Sequence, residues 1–285
     1  MDLVVAGPTE TTESELDRKA AELARLQSEL AERELELATL SAELQSFELV
    51  YLRTIGLRYA ELDGVEAEIA ALLAAASPRD RAARERAAAA AAQAADSEQA
   101  AEWAAGADEK MEPFDASEDL KKLYRRAAKT LHPDLADDEE DRVRRQSFMA
   151  EANRAYAQGD EEALRDLLLD WENRAEHVAG DDPEVELRRV CRMIEQARRR
   201  LGAIAAELQE LGRSDLCRLH RKVERAHRVG VDLLAEMARG LDRQIAAARR
   251  RLRALKTGPD PWIEELFAAA RRCPAEGTPS EGAPP

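Results

Sequence analysis

The sequence predicts an all-α protein in which long coiled-coil helices flank a small helical hairpin. Phe, Tyr and Trp make up only 4% of its 285 residues, whereas 35% are charged. Apolar residues reach 45%, but most are Ala and Leu that recur at helical spacing. This composition supplies narrow apolar stripes on helices, as in coiled coils, and excludes a β-sandwich or a doubly wound sheet.

Charge and cysteine content narrow the class further. The formal net charge is −15, so the chain as a whole is acidic. The three cysteines, Cys191, Cys217 and Cys273, are odd in number and far apart, which argues against a disulfide framework. No run of 18 uncharged apolar residues occurs, and the first residues lack a long apolar segment with basic flanks. We therefore expect a cytoplasmic protein without membrane insertion.

Residues 1–13 are predicted to be disordered and residues 14–76 to form an N-terminal coiled coil. One seam repeats every seven residues: Leu16, Leu23, Leu30, Leu37, Leu44 and Tyr51. A strict seven-residue repeat keeps one stripe facing a partner helix. Lys19 and Arg33 interrupt the second seam, and polar seam residues select a specific pairing. The partner is either a second copy, giving a homo-oligomer, or another helix of this chain.

Residues 77–112 are interpreted as an Ala-rich connector, because a Ser77-Pro78 pair breaks the repeat and few large side chains come after it. Residues 184–256 resume the heptads and are interrupted by Gly212 and the Ser214-Asp215 pair. They predict an antiparallel C-terminal hairpin of two long helices. Residues 257–285 should be mostly disordered, with one short helix near 262–271.

The segment DLKKLYRRAAKTLHPDL, which starts at Asp119, carries the most information. Ser117 is placed to cap its helix, and an apolar face includes Leu120, Tyr124 and Leu131. The opposite face is basic: Lys121, Lys122, Arg125, Arg126 and Lys129. Pro133 cannot continue a helix, so His132, Pro133 and Asp134, here called the HPD turn, are expected to form an exposed turn. A second helix begins near Asp141.

These two helices resemble helices II and III of the J-domain, the module by which co-chaperones engage a DnaK-type heat-shock chaperone. The resemblance runs from about Leu120 to Tyr156 and includes LKKLYRRAAK, the HPD turn and the ending Asn153-Arg154-Ala155-Tyr156. In that family the basic face and the turn contact the chaperone and accelerate its ATP hydrolysis.

The resemblance implies a chaperone-binding surface and no chemistry of the chain's own. Its residues would be His132, Pro133, Asp134, Lys121, Lys122, Tyr124, Arg125, Arg126 and Lys129. A cationic face can steer towards an acidic groove, and the Asp134 carboxylate can form a charge-assisted hydrogen bond. No nucleophile, phosphate loop or paired carboxylates are recognisable, so we expect neither an enzyme nor a cofactor.

In the J-domain family a tyrosine-rich helix I precedes these two helices. Here the preceding segment is EWAAGADEKMEPFDASED, in which no such helix is recognisable. Ala127 replaces a larger core residue, and Met149, not Phe148, takes the place of an aromatic. The segment DEEALRDLLLDWE offers an apolar face made of Leu164, Leu167, Leu168 and Trp171. We expect this helix, with Phe114, to replace helix I and to complete a J-domain-like unit over 113–175.

The role of the basic C-terminal hairpin has more than one interpretation. Residues 187–256 hold 19 basic and 8 acidic residues, whereas residues 10–76 hold 15 acidic and 6 basic ones. Pairing between these segments is the preferred interpretation. A solvated face is one alternative, and binding to phosphates or to an anionic membrane is another. Nucleic acid is disfavoured because 187–256 lacks aromatic residues for base stacking. Cys217, His220 and His227 are better explained by a seam cysteine and solvent-facing histidines than by a metal site.

The sequence therefore predicts a J-domain-like co-chaperone positioned by its coiled coils. The alternative is a coiled-coil structural adaptor whose J-like unit is vestigial. An exposed HPD turn is required by the first function. A turn covered by neighbouring segments would leave an elongated scaffold.

Overall fold

A computed structural model of the chain describes residues 8–106, 114–136, 138–174 and 183–257. All regular structure in these residues is helical, which confirms the all-α class. The chain divides into two compact units: Met1–Val50 with Lys110–Val231 (unit 1), and Tyr51–Glu109 with Asp232–Pro285 (unit 2). The predicted short helix at 262–271 and the disordered tail beyond residue 257 lie outside the described residues, as do Cys273 and residues 1–7 of the predicted N-terminus.

The helices succeed one another in a simple order. They are α1 (Pro8–Tyr51), a π-helical segment (Leu52–Gly56), α2 (Leu57–Ala76), α3 (Arg81–Gly106), α4 (Glu118–Leu131), a 3-10 turn (Pro133–Leu135), α5 (Glu139–Gln158), α6 (Glu161–Arg174), α7 (Pro183–Arg213), α8 (Asp215–Arg228) and α9 (Leu233–Thr257). Residues 8–13, predicted to be disordered, already belong to α1.

The heptad stripe of α1 packs against α7 within unit 1. Leu23, Leu26 and Leu30 form a buried cluster with residues of α7 that include Ile194 and Ile204. The N-terminal coiled coil therefore has a partner in the same chain. At its edge the Arg198 guanidinium contacts the Glu22 carboxylate. The preferred pairing of acidic and basic segments is thus seen here within one chain.

Unit 2 corrects the connector interpretation of residues 77–112. The helix breaks after Ala76 as expected, but a second long helix, α3, occupies most of this segment. It packs along α2 and buries Ala83, Ala101 and Ala104. Alanines need no large neighbour when two helix backbones approach closely, so a stretch without large side chains can still pack. The acidic and basic complementarity recurs here, because Lys256 of α9 contacts Glu68 of α2 at 2.6 Å.

The predicted second helix of the C-terminal hairpin is two helices. α8 ends at Arg228, and Gly230 adopts φ 78°, a left-handed conformation that suits glycine. α8 belongs to unit 1 and α9 to unit 2. The apolar repeat from Leu216 to Leu255 concealed this break, because both helices carry an apolar face.

The hairpin unit, residues 114–174, has its own core in which α4, α5 and α6 meet. Its largest buried side chains include Leu120, Tyr124, Leu131, Met149, Tyr156, Leu164 and Trp171. The prediction that the segment after residue 160 covers the hairpin is confirmed, and Phe114 packs at the edge of this core. The sequence did not predict that Ala31 and Leu35 of α1 join the same core.

Candidate functional site

Capping residues at its start and a proline after its last residue determine where α4 begins and ends. The Ser117 hydroxyl accepts a hydrogen bond from the backbone N–H of Leu120 at 2.9 Å, as predicted for the cap. Glu118 and Asp119 occupy the first turn, where the helix dipole favours negative charge. Pro133 ends α4, since its ring is incompatible with a helix interior, and the chain continues as a short 3-10 turn.

On the C-terminal side of the HPD turn, contacts of α5 hold the chain in place. The Asp138 carboxylate caps α5 by accepting from the N–H of Asp141 at 2.8 Å. The buried Arg145 donates to Asp141 at 2.6 Å and to the carbonyl oxygen of Thr130 at 2.8 Å, which ties α5 to the end of α4. Its guanidinium also lies 4.7 Å from the ring centre of Trp171 in α6. One arginine thus joins all three helices of the hairpin unit.

The predicted basic face of α4 is largely paired within the chain. Lys121 and Lys122 form salt bridges with Glu118 and Asp119 at 3.0 and 2.9 Å, inside their own helix. Two other cations reach further: Arg125 pairs with Glu32 of α1 at 2.9 Å, and Arg126 pairs with Glu172 of α6. Lys129 is exposed. Lys122 and Arg126 remain largely accessible, but exposed pairs of this kind hold them only weakly.

The HPD turn is only partly accessible, contrary to the expectation of an exposed turn: His132 is buried, whereas Pro133 and Asp134 are half-buried. The side chain of His132 lies beneath α1 and α7, and the residue is only 2% exposed. Its Nε2 lies 3.1 Å from Oε1 of Glu34 in α1. Arg200 of α7 donates to both oxygens of the same carboxylate, at 2.7 and 3.2 Å. We call Glu34, His132 and Arg200 the Glu34 cluster.

The cluster stabilises a charge that burial alone would disfavour. Burial of the Glu34 carboxyl acts to raise its pKa, but hydrogen bonds from His132 and Arg200 outweigh it, so the pKa lies below its usual value of 4.5. In turn, Glu34 raises the pKa of Arg200 despite the opposing effect of burial. A carboxyl whose folded-state pKa is lowered stabilises the fold above its unfolded pKa, and this contribution disappears as the pH falls through the lowered value.

Asp134 is in the opposite situation. Its backbone N–H donates to Nδ1 of His132 at 3.1 Å, which orients the imidazole. Its Oδ2 atom is buried and has no hydrogen-bond partner among the described residues. Burial therefore raises the pKa of the Asp134 carboxyl above its usual value of 3.8, although His132 and Arg200 act in the other direction. A raised folded-state pKa means that the ionised carboxylate lowers stability at neutral pH.

We expect Asp134→Asn to leave the stability of unit 1 unchanged or slightly increased at neutral pH. The substitution removes a partly buried negative charge whose Oδ2 atom has no hydrogen-bond partner among the described residues. Any gain should shrink as the pH falls below the pKa of the folded-state carboxyl, where Asp134 is itself neutral. Urea unfolding at several pH values would measure this. A clear loss of stability at neutral pH would contradict the assignment of Asp134 as an unsatisfied group.

The structure separates the predicted site residues into two groups. Tyr124 is buried and donates to Oδ1 of Asn153 at 2.6 Å, so it serves the core and is not available to a partner in this fold. His132 is likewise buried. The accessible members are Lys122, Arg126 and Lys129, with Lys121, Arg125, Pro133 and Asp134 partly exposed.

Sequence reasoning did not identify Glu34 and Arg200. A signal existed, because Glu34 lies four positions after the seam residue Leu30 and Arg200 precedes the seam residue Leu201 by one. These are the e and g positions of the heptad, where charged residues pair across a coiled coil. What no heptad pattern reveals is that a third residue, His132, enters the pair.

Other candidate residues serve packing. Cys217 is buried, as expected for a seam cysteine. His220 is not solvent-facing as predicted: its ring centre lies 4.8 Å from that of Phe47. Among the described residues there is no group of three metal-ligating side chains, and no helix is long and apolar enough to span a membrane.

Comparisons with known proteins leave the family open. No family model matches the chain, and neither the curated proteins nor the solved structures contain a match.

Proposed function

We propose that this protein is a coiled-coil structural adaptor in which the hairpin unit is a docked part of the helical framework. The burial of His132 supports this proposal most directly. A turn that must meet another protein gains nothing from a buried imidazole tied to Glu34 and thereby to Arg200. In an adaptor, the same contacts fasten the end of α4 to α1 and α7.

The apolar contacts support the same function. Ala31 and Leu35 of α1 lie in the core of the hairpin unit, and the Tyr156 hydroxyl lies 2.7 Å from Oγ1 of Thr39. The backbone N–H of Phe114 donates to Ser46 at 3.0 Å. Apolar and polar contacts thus hold α1 against the hairpin unit along several turns. Separation of the two would expose buried surface at a cost of about 25 cal/mol per Å².

The J-domain-like co-chaperone is the second candidate, and one observation favours it. The backbone N–H of Asp134 is hydrogen-bonded within the chain, whereas the Oδ2 atom of its carboxylate has no hydrogen-bond partner among the described residues and lies 3.8 Å from Nδ1 of His132. A carboxylate at this position is what a cationic partner protein would require. In that case the Glu34 cluster has to open before the turn can act.

A single-turnover ATPase assay with the purified DnaK-type chaperone of the host separates the two candidates. An adaptor is expected to leave the hydrolysis rate unchanged, both as the intact chain and as Glu34→Gln, which weakens the cover over the turn. The adaptor proposal would be overturned if either protein accelerated hydrolysis and the further substitution Asp134→Asn in that protein abolished the acceleration. Asp134→Asn is suited to this test because it is expected to preserve the fold, whereas any substitution of His132 disturbs the core.

A further inference from the structure

Helix α8 carries five cations on one face, which we call the α8 basic face: Arg218, Arg221, Lys222, Arg225 and Arg228. Their spacings of three, four, seven and ten positions from Arg218 place them within about one third of the helix circumference. All five residues are exposed. The buried residue of α8 is Cys217, which lies in its first turn at the border of this face.

This face is poorly neutralised by the protein itself. Arg218 pairs with Asp215 in the first turn, and Arg228 lies 3.9 Å from Glu224. Lys222 and Arg225 have no carboxylate within salt-bridge distance in the part of the chain that the structure describes. Neighbouring like charges on a helix are mutually destabilising. Arg198 and Arg200 of α7, by contrast, pair with Glu22 and Glu34 of α1.

An exposed aliphatic tip continues the same face. Val229 is the C-cap residue of α8, with φ −102° and ψ 15°. It lies eleven residues, or about three helical turns, after Arg218, so it is on the same face of the helix. Val229 is 76% exposed, and Val231, beyond the left-handed Gly230, is also exposed. Exposed valines have no role in binding a soluble anion, but they are suited to a surface that is anionic outside and apolar below.

We propose that the α8 basic face and the Val229–Val231 tip bind the surface of a bilayer that contains anionic phospholipids. The helix would lie along the surface with its cations on the headgroups, while the two valines enter the boundary between headgroups and acyl chains. Each cation near such a surface contributes about 1 kcal/mol of attraction, which falls off within a Debye length. This binding is interfacial and does not require a membrane-spanning helix.

Nucleic acid fits these observations less well. Proteins that bind single strands stack bases on aromatic side chains, and residues 183–257 contain no Phe, Tyr or Trp. A phosphate backbone would also leave Val229 and Val231 in water. Binding to RNA is therefore treated as an outcome that would overturn the proposal.

The test is cosedimentation of the full chain with vesicles of phosphatidylcholine, with and without about one-third phosphatidylserine. The intact protein is expected to bind the anionic vesicles and not the neutral ones. The triple substitution Lys222→Gln, Arg225→Gln and Arg228→Gln should weaken binding roughly a hundred-fold. Replacement of Val229 and Val231 by Ser should weaken it roughly ten-fold.

A control with the same change in charge uses exposed arginines of α9: Arg239→Gln, Arg250→Gln and Arg253→Gln. This variant should bind as the intact chain does. Equal weakening in the control, binding to neutral vesicles, or binding to single-stranded RNA in preference to vesicles would each overturn the proposal. The assay does not involve His132 or Asp134, so its result is independent of whether the hairpin unit engages a chaperone.

Discussion

Substitution of His132 by Ala is expected to lower the free energy of unfolding of unit 1 by about 3 kcal/mol. The change removes the imidazole that contacts the buried Glu34 carboxylate and leaves that charge with Arg200 as its remaining partner. It also opens a cavity, since His132 is almost fully buried. Loss of one partner from a buried charged group is costly because the group left behind keeps its desolvation penalty.

The measurement is urea unfolding of the full chain, combined with hydrogen exchange of the α4 amides to localise the effect. Lys129→Ala is the matched control, because Lys129 is an exposed residue near the end of the same helix. It should change stability by less than about 0.5 kcal/mol. If both variants were as stable as the intact chain, the turn would be free in solution. The adaptor proposal would then lose its main support.

The pattern of helices could be predicted because it depends on local spacing. The heptad leucines of α1, the Ser117 cap and the break at Pro133 each depend on a few neighbouring residues, and the structure shows all three. Even the complementarity of the acidic and basic segments was visible from charge counts alone. The identity of the helix that pairs with α1 could not be predicted, because a heptad repeat looks the same whether the second helix belongs to this chain or to another copy.

The exposure of the candidate site could not be predicted in the same way. The basic amphipathic pattern of α4 and the HPD turn give the same sequence signal whether or not another helix lies over them. Glu34 and Arg200 are separated from His132 by 98 and 68 positions, and only the packing of α1 and α7 brings them together. A local motif therefore identifies which groups could bind a partner, whereas tertiary packing decides whether they are accessible.

Substitution of Leu164 by Ala is expected to destabilise the hairpin unit by about 3 to 4 kcal/mol. Leu164 has no exposed surface and lies in the core formed by α4, α5 and α6. Ala127 and Ala128 contribute only small side chains to this core, and the larger side chains of α6 pack over them. Large-to-small changes at such a site lose both the transfer free energy of the removed atoms and the contacts around the cavity.

Leu169→Ala provides the control, because it makes the same chemical change on the same helix at a residue that is 56% exposed. It should shift stability by less than about 0.5 kcal/mol. Thermal unfolding by circular dichroism and native-state hydrogen exchange of α4 and α5 would compare the two variants. Equal behaviour of the two leucines would mean that α6 does not complete the core. A large loss confined to Leu164→Ala would show that the hairpin unit depends on α6, because α4 and α5 share their buried core with it.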